Sequence, residues 1–273
     1  MIKLAFSTLG CPDWSFDDIL SMAKDLGFDA IEIRGIERDM FAPSAKPFLP
    51  ENIEKTKERL GKLGLSISCL TSGVRLNETY RIESHMADGK AYIDLAQKLE
   101  VPFVRVIGDS GPNPTDVPFD DVALRLKELA EYAKDKDVTI LIENNGAFAD
   151  SDVMSKLLDA VNMDNVAVLW DINHPVRFFG ENVSETYEKI GSHVQYFHIK
   201  DSLEVDGNVE YQMIGKGDLP IKELVALLKE KNFEGYLSLE WLKRWCLSLA
   251  EPGIVFPRYI SFMRGLLREE KNA

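Results

Sequence analysis

Cysteine is scarce in this chain. Its three residues, Cys11, Cys69 and Cys246, are too far apart for a Cys-rich zinc site, and an odd number leaves one out of any disulfide pairing. A disulfide scaffold is therefore excluded, and free thiols in a reducing, cytoplasmic setting are expected. Basic residues are outnumbered: 32 Lys and Arg face 45 Asp and Glu, for a net charge of −13. A chain of that sign is poorly suited to tracking a phosphate backbone, because most such affinity comes from Lys and Arg displacing counterions. No nucleic-acid partner is expected. Long apolar runs are also missing, since nothing approaches the ~20 residues that span a bilayer. The opening Met1-Ile2-Lys3-Leu4-Ala5-Phe6-Ser7 lacks the charged, apolar and cleavage regions of a secretion signal. No membrane partner is expected, and the segment reads as a first strand. Gly-rich nucleotide motifs are absent as well. The first turn after a strand is Leu9-Gly10-Cys11-Pro12-Asp13-Trp14, without GxGxxG or a P-loop, which removes the usual mark of a doubly wound sheet.

What is present is regular alternation. The length of 273 residues, with 45% hydrophobic and 28% charged, is that of a globular protein and close to the roughly 250 residues of a one-domain TIM barrel. Short apolar, β-branched runs predict strands at Lys3–Ser7, Ala30–Arg34, Leu65–Leu70, Phe103–Ile107, Val138–Glu143, Val166–Asp171, Val194–Ile199 and Tyr236–Glu240. Segments with helical period follow each one: Phe16–Leu26, Asn52–Leu63, Ser84–Leu99, Phe119–Asp135, Ser151–Val161, Val183–Ile190, Ile221–Lys231 and Val255–Arg268. Gly27, Gly64 and Gly191 are expected to stop helices, Ser15, Ser151 and Asp218 to cap them, with Pro220 in a first turn. The fold expected is α/β, a single (β/α)8 TIM barrel over residues 1–273 with eight parallel strands and its active site at their C-terminal ends.

Four consecutive strands end in reactive residues. They close on Glu143-Asn144-Asn145, Asp171-Ile172-Asn173-His174, His198-Ile199-Lys200-Asp201 and Glu240. Three carboxylates and one imidazole at one rim would repel and perturb one another unless a cation held them. Glu143, Asp171, His198 and Glu240 are therefore the candidate ligands of one divalent metal. The oxygen-rich set favours Mn2+ and also accommodates Mg2+, Co2+ or Zn2+. His174 is expected to bind a substrate oxygen, Lys200 to neutralise an oxyanion, and Asp201 to steady a ring nitrogen or Lys200.

This order, Glu143, Asp171-x-x-His174, His198-x-Lys200-Asp201, Glu240, resembles the sugar phosphate isomerase/epimerase family of the xylose-isomerase-like TIM-barrel superfamily. The resemblance implies a small-molecule sugar or cyclic polyol ketone as substrate. It also implies Glu143 and Glu240 as an acid/base pair, which moves a proton beside a carbonyl through a metal-stabilised enediolate. A homo-oligomer is compatible with it. One position departs from the pattern: ketose epimerases of this family generally carry an Arg six residues after the strand-seven His, and Glu204 stands there. Arg244 or Lys200 is the candidate replacement.

Glu32 and Arg34 end the second strand, Ser72 follows the third, and Arg105 and Asp109 belong to the fourth or its loop; all are candidates for selecting hydroxyls, while Trp14 and Trp241 are candidates for an apolar wall against a sugar face. Gly215-Lys216-Gly217-Asp218 looks like a phosphate-cradling turn but is read as the loop into the penultimate helix. The same site also suits an inosose-type dehydratase, whose enediolate expels a hydroxyl, or a non-catalytic carbohydrate-binding barrel. A trinuclear endonuclease is excluded by only four His, two of which, His85 and His193, fall away from the strand ends.

Overall fold

The computed structural model describes residues 1–268; the last five positions of the expected domain lie outside the described residues. Strands β1 (Ile2–Ser7), β2 (Ala30–Ile33), β3 (Ser66–Arg75), β4 (Phe103–Ile107), β5 (Thr139–Glu143), β6 (Val166–Asp171), β7 (Val194–Ile199) and β10 (Gly235–Leu239) pair in parallel and close into a barrel. Strand β10 meets β1 with Leu4 opposite Leu237, which completes the ring. Helices α1 (Phe16–Leu26), α2 (Ile53–Leu63), α3 (Ile82–Leu99), α4 (Phe119–Ala133), α5 (Ser151–Val161), α6 (Val183–Ile190), α7 (Ile221–Glu230) and α8 (Pro252–Arg268) connect or follow the strands. The expected (β/α)8 TIM barrel is the fold.

Strand alternation divides the apolar residues into two cores. Ile140, Ile142, Val166 and Val168 face outward into the layer shared with the helices. Cys69, Leu141, Ala167, Leu169 and Tyr196 face inward and fill the barrel with Phe103 and Tyr236 packed against them. Because successive side chains alternate sides, the next inward positions after Leu141, Leu169 and Tyr196 are Glu143, Asp171 and His198. The apolar plug of the barrel thus forms the floor of a polar layer at its C-terminal rim.

The helix punctuation holds in part. Ser15 makes a full capping box with Asp18, and Gly27 and Gly64 adopt the left-handed turn that ends α1 and α2. Gly191 also ends α6 as its C-cap, but in a right-handed conformation that leads into a 3-10 turn. The cap of α5 is Asp150, which accepts from the N–H groups of Asp152 and Val153, while Ser151 is the first helical residue. A carboxylate accepts two N–H groups at once and so displaces the hydroxyl beside it. Asp218 does not cap α7 either; its carboxylate pairs with Arg177, and Pro220 occupies the cap position.

One element was not expected: an antiparallel hairpin, β8 (Asp201–Val205) and β9 (Asn208–Gln212), rises from the rim directly after β7. Asp206 and Gly207 form its turn with φ of 50° and 75°, the two left-handed residues that a tight hairpin requires. Strand β3 also runs five residues beyond its expected end, with an irregular register against β4 after Thr71.

Candidate metal centre and pocket

The rim brings together all four candidate ligands. Glu143, Asp171, His198 and Glu240 are buried, and each offers one donor atom within 4.8 Å of every other. His198 Nδ1 lies 3.7 Å from Glu143 Oε1, 3.9 Å from Asp171 Oδ2 and 3.5 Å from Glu240 Oε1.

The tautomer of His198 follows from its neighbour on the far side. Its Nε2 lies 3.1 Å from Glu32 Oε2, and since an ionised carboxylate can only accept, Nε2 carries the hydrogen. Nδ1 is left to face the three carboxylates and has no hydrogen-bond partner, although it is fully buried. Asp171 Oδ2 is likewise without a hydrogen bond, its 2.5 Å approach to Lys200 Nζ being an ion pair only. His198 Nδ1, buried without a partner and converging with three carboxylates into an oxygen-rich set, is what a divalent cation would satisfy. The residues present fit that group.

Electrostatics point the same way. Burial alone would lower the pKa of His198, but Glu32 and Glu240 outweigh it and hold the imidazole well above its usual range. The site therefore demands positive charge. Burial would raise Glu143, yet Arg105 and His198 pull it well below the carboxylate range. Arg105 Nε sits 3.0 Å from Glu143 Oε2 and its Nη1 donates to Ser72 O at 2.9 Å, so the guanidinium fixes that carboxylate from behind. Lys200 bridges Asp171 and Glu240; burial would lower it, and those two carboxylates raise it well above the ordinary lysine value. The ammonium is thus committed to two of the candidate ligands.

Beside this cluster, Asn144 ties the ends of β5 and β6 together. Its Oδ1 accepts from Asp171 N at 2.6 Å and its backbone carbonyl accepts from His174 Nδ1 at 3.0 Å. The remaining His174 nitrogen, Nε2, is 3.8 Å from Asp171 Oδ2. A π-helical turn at Pro175–Phe179 begins immediately after His174 and holds it at the rim.

A pocket of about 240 Å³ opens above these residues and includes Glu143, His174, Lys200 and Glu240 in its wall, along with Arg34, Arg105, Asn145, Tyr211 and Trp245. Other expected contacts lie elsewhere. Glu32 is beneath the cluster, fully buried, accepting from His198 Nε2, the Tyr196 hydroxyl at 3.2 Å and the Thr71 hydroxyl at 3.1 Å. It supports the acidic cluster from below and does not line the pocket, and with His198 leading the effects opposed to burial its pKa falls to about 2. Trp14 packs edge-on against Phe256 at 5.6 Å, and Trp241 is buried with its indole N–H donated to Ala250 O at 2.9 Å. Both belong to the seam between the first turn and α8. Arg244 donates to Pro12 O at 3.4 Å and is not part of the pocket wall, and Glu204 is exposed on the hairpin.

Asp201 holds neither His198 nor Lys200. Its carboxylate accepts from the N–H groups of Ser202, Gly215, Gly217 and Leu219 at 2.8 to 3.4 Å. The glycine turn therefore does cradle an anion, and the anion is the protein's own. Gly215 has φ of 74° and a Cβ on Gly217 would collide with Asp201, so both glycines are needed for that approach. Asp109, the other candidate at a strand end, accepts in the same way from Ser110, Thr115 and Ala147 N–H groups. Tyr211 and Trp245 are among the pocket residues that the strand pattern missed, as are Gly73 and Arg75. The Asp206-Gly207 pair was the available signal for the hairpin that carries Tyr211.

Comparison with known proteins agrees with this geometry. Residues 20–258 match the family model described as xylose isomerase-like TIM barrel. The chain is 25% identical to the fructoselysine 3-epimerase of Shigella flexneri over 284 residues, covering 99% of this chain and 100% of that one. It is 25% identical to the inosose dehydratase of Clostridium tetani over 160 residues, 52% of each protein. Among solved structures, a xylose isomerase-like TIM barrel protein from Mycobacterium smegmatis in complex with magnesium superposes with a TM-score of 0.75. It is 18% identical, over 97% of this chain and 96% of that one. Among the described residues no helix is long and apolar enough to cross a membrane.

Proposed function

The chain belongs to the xylose isomerase-like TIM barrel family, and we propose that within it the protein is a divalent-metal-dependent epimerase of a polyhydroxylated ketone. Relatives named as an epimerase and a dehydratase support an enzyme. The observation that carries the epimerase reading is the opposed pair of carboxylates, Glu143 on β5 and Glu240 after β10, with His198 Nδ1 between them at 3.7 and 3.5 Å.

Glu143, Asp171, His198 and Glu240 would hold the metal. When bound, it would acidify the carbon next to the carbonyl and stabilise the enediolate charge, with Mn2+ as the preferred ion. Glu143 removes the proton from one face of that carbon; Glu240, after taking a proton from solvent, returns one to the other face, and the proton on Glu143 leaves to solvent. Arg105 keeps Glu143 ionised and aimed, so it begins the cycle as the base. Lys200 orients Glu240 from the opposite wall. His174 presents Nε2 to a substrate oxygen, because its Nδ1–H is spent on Asn144.

The test is solvent exchange. In D2O, a ketose recovered from the Mn2+-loaded protein should carry deuterium at the carbon beside the carbonyl. Glu143→Gln and Glu240→Gln should each lower kcat by about 10²- to 10⁴-fold. Metal content, measured on the same samples, separates lost proton transfer from lost metal. A new ultraviolet-absorbing enone or dione in place of exchange would move the assignment to the dehydratase chemistry of the second relative.

A further inference from the structure

Five cationic or imidazole side chains line the pocket: Arg34, Arg75, Arg105, His174 and Lys200. Four of them are engaged. Arg75 pairs with Glu78 at 2.7 Å, Arg105 with Glu143, His174 with Asn144 O, and Lys200 with Asp171 and Glu240. Arg34 is the exception among the described residues. Its backbone N–H donates to Thr8, but its guanidinium has no hydrogen bond and no ion pair; its Cζ lies over the Trp245 ring, 5.9 Å from the centroid.

That placement leaves the useful part of the group free. The guanidinium N–H donors, which lie in its plane and point outward from its edge, make no hydrogen bond or ion pair. Gly73 also lines the pocket, and a Cβ there would already touch Arg34 Nη2 at 3.7 Å. Arg34 is partly buried, and burial, aided by Arg105 and Arg244, brings its pKa down to about 10 against the pull of Tyr92 and Glu240. A partly desolvated cation with unpaired N–H donors gains most from an anion that enters with the substrate.

We propose that Arg34, backed by Trp245, seats a carboxylate at the end of the substrate remote from its carbonyl, so that the preferred substrate is a polyhydroxylated keto acid. The assignment rests on the epimerase reading for the carbonyl end. A carboxylate is favoured over a phosphate monoester because the pocket offers one uncommitted charge, and a planar fork matches a planar carboxylate through two parallel hydrogen bonds.

The test compares three probes that share a ketose end: D-fructose, D-fructuronate and D-fructose 6-phosphate. Each is titrated calorimetrically into Mn2+-loaded protein and followed separately for deuterium exchange. Fructuronate should bind about ten- to a hundredfold more tightly than fructose. In Arg34→Met that ratio should collapse to within about twofold, and in Arg34→Lys, which keeps the charge but not the fork, it should be intermediate. Arg34→Lys also serves as the test should Arg34→Met fail to fold. A fructuronate preference that survives in the variants overturns the proposal, as does its absence in the wild-type protein, including failure of fructuronate to bind. A larger, Arg34-dependent preference for the 6-phosphate overturns the carboxylate assignment. If no probe exchanges deuterium while the Arg34-dependent preference stands, the carboxylate seat is supported and only the epimerase reading falls.

Discussion

At the scale of single residues, Glu32 shows how much of the site lies below the pocket. It contacts no candidate ligand except His198, yet by holding Nε2 it fixes which imidazole nitrogen faces the cluster. Supporting carboxylates of this kind usually change metal affinity by about 10–100-fold when removed. Glu32→Gln should therefore weaken Mn2+ binding by about that factor, since a neutral amide no longer balances the imidazole; a dissociation constant unchanged within experimental error would show Glu32 to be packing alone. That Glu143, Asp171, His198 and Glu240 gather at one rim was legible in the sequence because each ends a strand, and strand alternation decides which way it points. The role of Glu32 was not. It also ends a strand, but it pairs with Ser7 and Cys69, lower in the barrel, and only closure of the ring brings it under His198. Trp14 and Trp241 failed for a related reason: an aromatic next to a strand end packs where α8 returns to the barrel, and no local pattern gives that return path.

At the scale of elements, the loop that follows the hairpin depends on one carboxylate. Asp201 is buried, and four backbone N–H groups converge on it. Asp201→Ala leaves those donors without their acceptor and should lower unfolding stability by roughly 3 kcal/mol, the range for losing charge-assisted bonds to a buried group. Urea denaturation measures it, and a change below about 0.5 kcal/mol would mean that water replaces the carboxylate freely. The cap of α5 provides a smaller contrast. Asp150→Ala should lower stability by about 1 kcal/mol, in line with loss of an N-cap, whereas Ser151→Ala should do less because the Ser151 hydroxyl has no partner. Helices and barrel strands were legible because each is long enough to show its period. Positions at their ends were not, because Asp150 and Ser151 are both good caps and only the backbone geometry chooses between them. The hairpin carried a turn signal, Asp206-Gly207, but its strands alternate polar and apolar residues weakly and lie outside the βα rhythm.

At the scale of the whole molecule, the barrel was legible because one pattern recurs eight times around it, whereas the pairing of cations with carboxylates inside the pocket was not. Arg34, Arg105 and Lys200 stand on β2, β4 and the end of β7, and which of them finds a carboxylate depends on positions across the ring. The same geometry sets the expected response to metal. Ligand atoms come from β5, β6, β7 and the end of β10, so a bound cation would tie the second half of the barrel to the strand that closes it against β1. The unfolded chain offers no such convergence, so binding should add to folding stability by mass action, about 2.7 kcal/mol at a hundred times the dissociation constant. For a chain of this size that corresponds to a rise in Tm of roughly 5–10 °C. Differential scanning calorimetry with Mn2+ and then with excess chelator measures it. The rise should vanish in chelator and shrink in Asp171→Asn, which removes one charge from the ligand set. An equal rise in Asp171→Asn would place the bound metal elsewhere on this strongly acidic surface, and the barrel rim would lose its claim to it.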